Sequence, residues 1–242
     1  MIKRLFDIFA SFFGLVVTSP ILLLVMLLVW KEDKKSPFYI APRAGRNDTT
    51  FKMVKLRSMV VNADKSGVDS TSGNDMRITP IGHKIRSYKL DELIQLWNVL
   101  IGDMSLVGPR PNVKTETNLY TDVEKRLLSV RPGITDFSSI VFSDEGDILE
   151  GKSDPDLSYN QLIRPWKSRL GLIYIENRST LLDLQLIFWT VIAIISKPKA
   201  LNWVVAQLTK MNADANIIAI SKRESELYPF PPPGSDKVVS AR

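Results

Sequence analysis

The sequence predicts an α+β protein that is mostly helical and is attached to a membrane through its N-terminus. Three observations lead to this fold class: one long uncharged apolar run, two short strand patterns, and several segments with helical spacing. The chain of 242 residues is long enough for one domain with a sizeable core. It contains no cysteine, which excludes disulfide frameworks and thiolate metal sites.

The first element is an apolar helix near the N-terminus. The run "IFASFFGLVVTSPILLLVMLLVW", from Ile8 to Trp30, is 23 residues long and has no charge. At roughly 1.5 Å per residue it could cover a hydrocarbon core of about 30 Å. Trp30 and Lys31 follow the run where a signal peptide would have small residues. The run is therefore predicted to be a membrane segment that is not removed by cleavage.

Pro20 interrupts this helix near its middle. Proline lacks an N–H and clashes with the carbonyl four residues earlier, so we expect a kink at Ser19-Pro20, where Thr18 and Ser19 can bond the carbonyls that the kink sets free. Basic residues flank both ends of the run: Lys3, Arg4, Lys31, Lys34 and Lys35. Because such residues favour the cytoplasmic side, a helix that enters and returns to one face fits them. A mildly kinked spanning helix remains an alternative.

Strands and a loop are expected next. Residues 38–40 and 51–59 read as two strands joined by a turn at 45–48, with Phe51, Met53 and Lys55 on one face. Residues 62–80, rich in Ser, Gly, Asn and Asp, are predicted to form a surface loop.

Helical patterns dominate the remainder. They cover 81–101, 112–130 and 156–170, with "VRPGIT" as a turn and an irregular region up to about residue 155. The apolar segments 181–195 and 201–208 are predicted to be interfacial or buried helices. The tail after residue 211 ends in a proline-rich stretch and is expected to be disordered or extended.

Two adjacent acids are the strongest functional signal. Asp91 and Glu92 lie in "SYKLDELIQLWNVLIGDMSLVGPRP", in the first turn of a helical pattern. Acids there can simply offset the helix dipole. Basic residues recur around them, however: Lys55, Arg57, Arg86, Arg110 and Arg131. Neighbouring prolines fix the backbones of Arg110 and Arg131, which favours binding of phosphate oxygens.

These features predict phosphoryl chemistry at a membrane surface. A carboxylate such as Asp91 can attack phosphorus, with Glu92 positioning groups or accepting a proton. Mg²⁺ prefers carboxylate and phosphate oxygens, so Asp91 is also a candidate metal ligand. Asp103 is a second candidate acid, or a turn residue. The basic residues are not interleaved with aromatic ones, so nucleic acid is not expected as a partner.

The motifs resemble those of the bacterial sugar transferases, the monotopic phosphoglycosyl transferases. The resemblance rests on "KRLFDI", the Ser19-Pro20 break, "FKMVKLRSM", "IRSYKLDELIQLWNVLIGDMSLVGPRP", "VRPGIT" and "LLDLQLIFWTVIAII". It implies transfer of a sugar-1-phosphate from a UDP-sugar to undecaprenyl phosphate, giving a polyprenyl-diphospho-sugar and UMP. By the same resemblance, Asp91 is the nucleophile of a covalent intermediate, Glu92 is its partner, Mg²⁺ is present, and Arg86 and Arg110 bind phosphate.

The resemblance also implies an architecture. A re-entrant helix over 1–35, broken at Ser19 and Pro20, would carry a small cytoplasmic catalytic domain over 36–210, with the tail over 211–242. The protein would lie on the cytoplasmic face of a bacterial inner membrane, in contact with membrane lipid. Such enzymes begin the assembly of polysaccharides and glycoconjugates. The family's usual sequence after "RPGIT" is replaced here by "DFSSIVFSDEGDIL", so residues 136–147 leave the identity of the sugar open.

Two other functions fit parts of the pattern. A polyprenyl diphosphate phosphatase would use the same basic site with water as acceptor. A non-catalytic membrane adaptor of a polysaccharide assembly complex would keep the apolar helices but tolerate loss of both acids. The sequence leaves the oligomeric state, including a homodimer, open.

Overall fold

Two small sheets and twelve α-helices make up the part of the chain that is described, residues 2–67 and 70–240 of a computed structural model. The strands are β1 Phe38–Ala44, β2 Thr50–Leu56, β3 Ser105–Val107 and β4 Gly133–Thr135. The helices are α1 Ile2–Asp33, α2 Pro80–Ser87, α3 Leu90–Leu93, α4 Leu96–Ile101, α5 Lys114–Thr117, α6 Phe137–Val141, α7 Glu145–Ile148, α8 Pro155–Ser158, α9 Arg164–Asn177, α10 Thr180–Ile195, α11 Lys197–Lys210 and α12 Ala215–Lys222. The predicted α+β class, mostly helical, is confirmed.

The predicted hairpin is present. Strands β1 and β2 pair antiparallel, with Phe38 opposite Leu56 and Ala44 opposite Thr50. Phe51 and Met53 are buried on one face of β2 and pack against Val99 and Met104. Lys55 follows at the same period of two, so this strand directs its amine toward α3.

The second sheet was not expected. Strands β3 and β4 pair in parallel, although 130–135 had been predicted as a turn. Glycine explains the difference, because a Cβ on Gly133 would lie 2.1 Å from the Gly108 nitrogen. Only two glycines allow the chains to cross this closely. The crossing fixes the segment that leads into Arg110.

Helices α6, α9, α10 and α11 enclose the main core, whose fully buried members include Phe137, Trp166, Leu186 and Val204. Sequence reasoning treated 136–155 as irregular, which was wrong, because α6 and α7 form there. The Asp136 side chain caps α6 by accepting a 2.8 Å hydrogen bond from the Ser139 N–H. Helices of four or five residues are too short to give a periodic pattern.

Two predicted helices are broken in the structure. The segment 81–101 forms α2, α3 and α4, because Lys89 adopts a left-handed conformation with φ of 56°. The segment 112–130 forms α5 and a 3₁₀ turn, Glu124–Ser129. There the buried Glu124 carboxylate accepts hydrogen bonds from the Arg164 guanidinium, at 3.0 and 2.6 Å, and from Ser168. This buried ion pair joins the turn to α9.

Helix α1 is continuous through Pro20 and 32 residues long. Pro20 cannot bond the Val16 carbonyl, and the Ser19 hydroxyl donates to that oxygen instead, at 2.7 Å. The Thr18 hydroxyl donates to the Gly14 carbonyl. The expected compensation is therefore present at Ser19, whereas Thr18 bonds a carbonyl four residues before its own position. By length and composition, α1 is the one helix among the described residues that could cross a membrane.

After α11 the chain returns to the domain. Helix α12 is an element that the sequence did not predict, and it packs against α9 and α11. The proline-rich segment that follows lies along α9, where the Phe230 ring stacks on Trp166 at 4.4 Å. The domain boundaries at residues 35 and 210 stay predictions.

Candidate active site

A break in the helix places the two acids. Thr79 caps α2 by accepting a hydrogen bond from the Gly82 N–H, and α2 then ends before Lys89. The left-handed Lys89 lets the chain restart as α3, with Asp91 and Glu92 in its first turn. The two carboxylates consequently face the hairpin strand β2 and the segment after β3.

Glu92 is held by two cations. The Lys55 amine donates to Glu92 Oε1 at 3.0 Å. The Arg110 guanidinium donates to both oxygens, through Nη1 to Oε2 at 3.2 Å and through Nη2 to Oε1. A two-pronged contact of this kind fixes the orientation of both partners. Glu92 therefore orients the cations, and its oxygens are already occupied.

Asp91 has a different environment. It is buried, and its nearest cation is the Lys55 amine, 4.0 Å from Oδ2. Among the described residues it accepts no side-chain hydrogen bond. Burial raises the pKa of the Asp91 carboxyl above its ordinary value, which the charge of Lys55 only partly offsets. A buried carboxylate without hydrogen bonds is poorly stabilised and keeps its lone pairs free.

The pKa of Glu92 moves in the opposite direction. Burial by itself would raise this pKa, but the charges of Arg110 and Lys55 outweigh burial and hold it well below its usual range. Adjacent carboxyl groups thus have opposite pKa shifts, a pattern that separates their chemical roles. Glu92 stays ionised as a structural anion, while Asp91 remains available for chemistry.

Proline and glycine fix Arg110, as the sequence predicted. Pro109 and Pro111 are both buried on either side of it. The close crossing of Gly108 and Gly133 anchors the preceding residues. The negative charge of Glu92 raises the pKa of Arg110 above its ordinary value. A stiff, permanently charged guanidinium suits the binding of phosphate.

A cleft of roughly 1030 Å³ opens over Lys55, Arg110 and Glu92, which is next to Asp91 in the chain. Glu92 lines its polar part, together with cationic side chains: Lys55, Arg86, Lys89, Arg110 and Lys167. Its apolar part is lined by Ile187, Val191 and Ile194 of α10. The exposed side chains of Val191 and Ile194 continue into an apolar surface of α10. The cleft therefore joins a cationic region to an exposed apolar surface.

The other predicted phosphate ligands lie in different settings. Arg86 lines the cleft. Arg57 also borders it, but its guanidinium makes a two-pronged ion pair with Asp33, at 2.5 and 2.7 Å, at the end of α1. Arg131 donates its Nε–H to the Gly102 carbonyl at 2.8 Å, at the end of α4. The structure therefore brings Lys55, Arg86 and Arg110 to the acids, and it engages Arg57 and Arg131 elsewhere.

A model of the bacterial sugar transferases matches residues 1–197. The chain belongs to this family. The expectation drawn from the sequence motifs is thereby confirmed, including that of a sugar transferase enzyme. The segment from Pro198 onward, with most of α11 and all of α12, lies outside the family model.

This bacterial sugar transferase is similar to two exopolysaccharide production proteins and to a glucose-1-phosphate transferase. The exopolysaccharide production protein ExoY of Sinorhizobium fredii is 35% identical over 207 residues, which cover 79% of this chain and 84% of that protein. The exopolysaccharide production protein PSS of Rhizobium leguminosarum is 36% identical, covering 82% and 98%. A UDP-glucose:undecaprenyl-phosphate glucose-1-phosphate transferase of Klebsiella pneumoniae is 36% identical, covering 78% of this chain and 39% of the relative.

Sequence reasoning missed several residues of the cleft in this sugar transferase. Glu145 and Lys167 form an ion pair on its wall, and Tyr159 lies beneath the Lys167 amine. Lys89 donates to the Ser143 carbonyl at 3.3 Å. Local spacing gave no signal for Glu145, Tyr159 and Lys167, because the fold brings them to the cleft from 54 to 76 positions away from Asp91, whereas Lys89 lies two positions before Asp91 in the same motif.

Proposed function

We propose that this sugar transferase moves a sugar-1-phosphate from a UDP-sugar to undecaprenyl phosphate, yielding a polyprenyl-diphospho-sugar and UMP. The observation that carries the proposal is Asp91, a buried carboxylate that accepts no hydrogen bond from the described residues and lies beside the Glu92–Arg110–Lys55 cluster. The named relatives support the class of reaction. By their similarity, the product would enter exopolysaccharide synthesis.

The reaction is written in two displacements. An Asp91 oxygen attacks the phosphorus that carries the sugar and forms an acyl-phosphate, while the bond to the bridging oxygen breaks and UMP leaves with that oxygen and its electron pair. A phosphate oxygen of undecaprenyl phosphate then attacks the same phosphorus. The bond to Asp91 breaks, which regenerates the carboxylate and releases the polyprenyl-diphospho-sugar.

The surrounding residues have separate tasks in this scheme. Arg110 and Lys55, oriented by Glu92, offset the negative charge of the diphosphate as the carboxylate approaches. Arg86 and Lys89 add positive charge along the cleft. The apolar wall of α10 would receive the first isoprene units of the acceptor, whose phosphate then lies at the polar part.

Mg²⁺ fits only as an ion shared with the substrate. Within residues 2–67 and 70–240, no group of three or more acidic or histidine side chains could hold a metal. Glu92 is occupied by its cations, which leaves Asp91 and the diphosphate oxygens as ligands. Mg²⁺ is commonly bound by one carboxylate plus substrate phosphates. When bound, it would neutralise charge on the diphosphate.

The anchor is proposed to be re-entrant, with the catalytic domain on the cytoplasmic face of the bacterial inner membrane. Both ends of α1 bind the same domain: the Lys3 amine lies 2.6 Å from Asp183, and Asp33 pairs with Arg57. A helix that crossed the hydrocarbon would separate its two ends by about 30 Å of lipid. Exposed apolar side chains of α1 and α10, such as Phe9, Val17 and Phe188, would instead contact lipid.

Replacement of the nucleophile tests the proposed reaction. The Asp91→Asn variant in lipid nanodiscs should lose UMP release from a panel of UDP-sugars with undecaprenyl phosphate, since an amide cannot form the acyl-phosphate. Asp122→Asn, at a side chain that is 97% exposed, is the matched control and should keep wild-type rates.

Other outcomes would point to the rival functions. Phosphate release from polyprenyl diphosphate without any sugar nucleotide would identify a phosphatase. Full complementation of polysaccharide synthesis in cells by a variant lacking both Asp91 and Glu92 would identify an adaptor. Near-normal UMP release by Asp91→Asn would exclude Asp91 as the nucleophile.

A further inference from the structure

A buried amide without a partner lies one helical turn after the nucleophile. Gln95 is 1% exposed, and its Nε2 has no hydrogen-bond partner among the described residues. Its neighbour Asn98, also 1% exposed, behaves differently. The Asn98 side chain donates to the Lys52 carbonyl at 2.8 Å and accepts from the Val54 N–H at 2.9 Å. Two buried amides on one helical segment are thus used in different ways.

The position of Gln95 relates it to the reaction. Ile94 and Gln95 keep right-handed helical conformations between α3 and α4, so Asp91 and Gln95 are four residues apart on a continuous helical path. Residues at this spacing lie on the same side of a helix. Gln95 also lines the cleft, together with Lys55, Glu92 and Arg110. Gln95 therefore borders the cationic part of the cleft, where the proposed function places the diphosphate of the donor.

The unpartnered donor indicates a ligand rather than a structural bond. A buried N–H without an acceptor destabilises the folded state, so such groups usually have a partner. Rotation about the last side-chain bond exchanges Oε1 and Nε2, so the amide can present its N–H to the cleft without movement of the backbone. The lysine and arginine side chains around it favour a ligand with anionic oxygens.

We propose that Gln95 Nε2 donates a hydrogen bond to a phosphoryl oxygen of the nucleotide donor and helps to hold the phosphorus for attack by Asp91. This inference rests on the proposed function and adds a residue that binds substrate. Gln95 supplies a neutral donor beside the cations Lys55 and Arg110. Because Gln95 is neutral, it can bind a phosphoryl oxygen without adding a third positive charge beside Asp91.

Replacement by methionine separates a ligand role from a structural one. Gln95→Met has a similar length and volume and removes the unpartnered amide. We expect an unchanged or higher midpoint of thermal unfolding, together with a loss of roughly 10- to 100-fold in kcat/KM, as for one hydrogen bond to a charged oxygen. Asn98→Leu is the matched control, and it should lower the midpoint because it breaks existing bonds to β2.

Two readouts decide the proposal in the full-length protein in nanodiscs. The first is kcat/KM with the UDP-sugar that the wild type uses. The second is the rise of the unfolding midpoint on addition of UDP, which Gln95→Met should diminish. A wild-type kcat/KM in Gln95→Met, whatever its unfolding midpoint, would overturn the inference.

Stabilisation by UDP distinguishes failure of the Gln95 inference from failure of the proposed function. If the wild type releases UMP from no UDP-sugar, the proposed function fails, and stabilisation by UDP alone then decides the role of Gln95. Equal stabilisation of both proteins by UDP, or none of the wild type, would contradict a phosphoryl contact at Gln95. Diminished stabilisation of the variant would support the contact despite failure of the proposed function.

Discussion

Asp91 and Glu92 are neighbours on one turn of α3, yet their surroundings differ. Glu92 receives hydrogen bonds from Lys55 and Arg110, whereas the nearest cation to Asp91 is the Lys55 amine, at 4.0 Å. Burial therefore raises the pKa of Asp91, whereas at Glu92 the charges of Arg110 and Lys55 outweigh burial and lower the pKa. At the scale of single residues, the distribution of two cations separates a candidate nucleophile from a structural anion.

Replacement of Arg110 by lysine should lower the activity. Arg110→Lys keeps the charge but loses the fork that contacts both Glu92 oxygens and could contact two phosphate oxygens. We expect kcat/KM for UMP release to fall by roughly tenfold or more. Arg126→Lys is the matched control, since Arg126 makes an exposed ion pair with Glu176, and its rate should stay within about twofold. Equal rates in the two variants would argue against a two-pronged role for Arg110.

Sequence reasoning could propose the acids and Arg110 as site residues because their signals are local, and their roles stay predictions. Adjacent carboxylates at a helix start and a proline-flanked arginine can be recognised in a few residues. It could not tell that Arg57 would pair with Asp33, or that Arg131 would bind the Gly102 carbonyl. Those partners are 24 and 29 positions away, and only the folded chain brings them together.

At the scale of elements, contact between α1 and β2 changes the interpretation of Arg57. This arginine was predicted to bind phosphate, but it joins the end of α1 to the hairpin through Asp33 and the Ser36 carbonyl. Tertiary structure also explains why the two predicted helices are broken. Glu124 forms a buried ion pair with Arg164, and Lys89 adopts a left-handed conformation that changes the direction of the chain. Periodicity predicts that a helix exists, and tertiary contacts decide where it ends.

The pair between Asp33 and Arg57 should make stability depend on pH. Hydrogen bonding from Arg57 lowers the pKa of Asp33 from 3.8 to about 2. A lowered pKa contributes stability that is fully present above the unfolded value of 3.8 and is lost as the pH falls through about 2. Asp33→Asn should therefore have a lower unfolding midpoint than the wild type near neutral pH, and the difference should shrink below about pH 4.

Thermal unfolding of both proteins across this pH range measures the effect. Asp236→Asn, at an exposed residue of the tail, is the control and should follow the wild type. A difference between Asp33→Asn and wild type that persists unchanged to about pH 2 would show that the carboxylate charge is not its source.

For the whole molecule, the position of α1 is the feature that sequence could least decide. Its length and charges fitted both a span and a re-entrant helix. The structure attaches Lys3, Arg4 and Asp7 at one end, and Asp33 at the other, to the same domain. These contacts are long-range, so no local pattern could have revealed them. They favour an anchor that enters and leaves on one face.

Accessibility of the two ends tests this architecture. The chain has no native cysteine, so Ile2→Cys and Lys35→Cys each introduce a unique label site at an exposed residue. Both should resist a membrane-impermeant thiol reagent in intact cells and react after permeabilisation, because the proposed re-entrant anchor places both ends on the cytoplasmic side. A periplasmic cysteine protein is the positive control. Labelling of Ile2→Cys in intact cells would establish a spanning helix.

The central claim is a transient bond between Asp91 and phosphorus, and intact-protein mass spectrometry tests it most directly. The protein is incubated with its UDP-sugar and Mg²⁺ but without undecaprenyl phosphate. The account predicts a mass gain of one sugar phosphate that maps to the Asp91 peptide, disappears on addition of undecaprenyl phosphate, and is absent in Asp91→Asn. Formation of product with lipid present, but with no adduct at Asp91 under any metal condition, would contradict it.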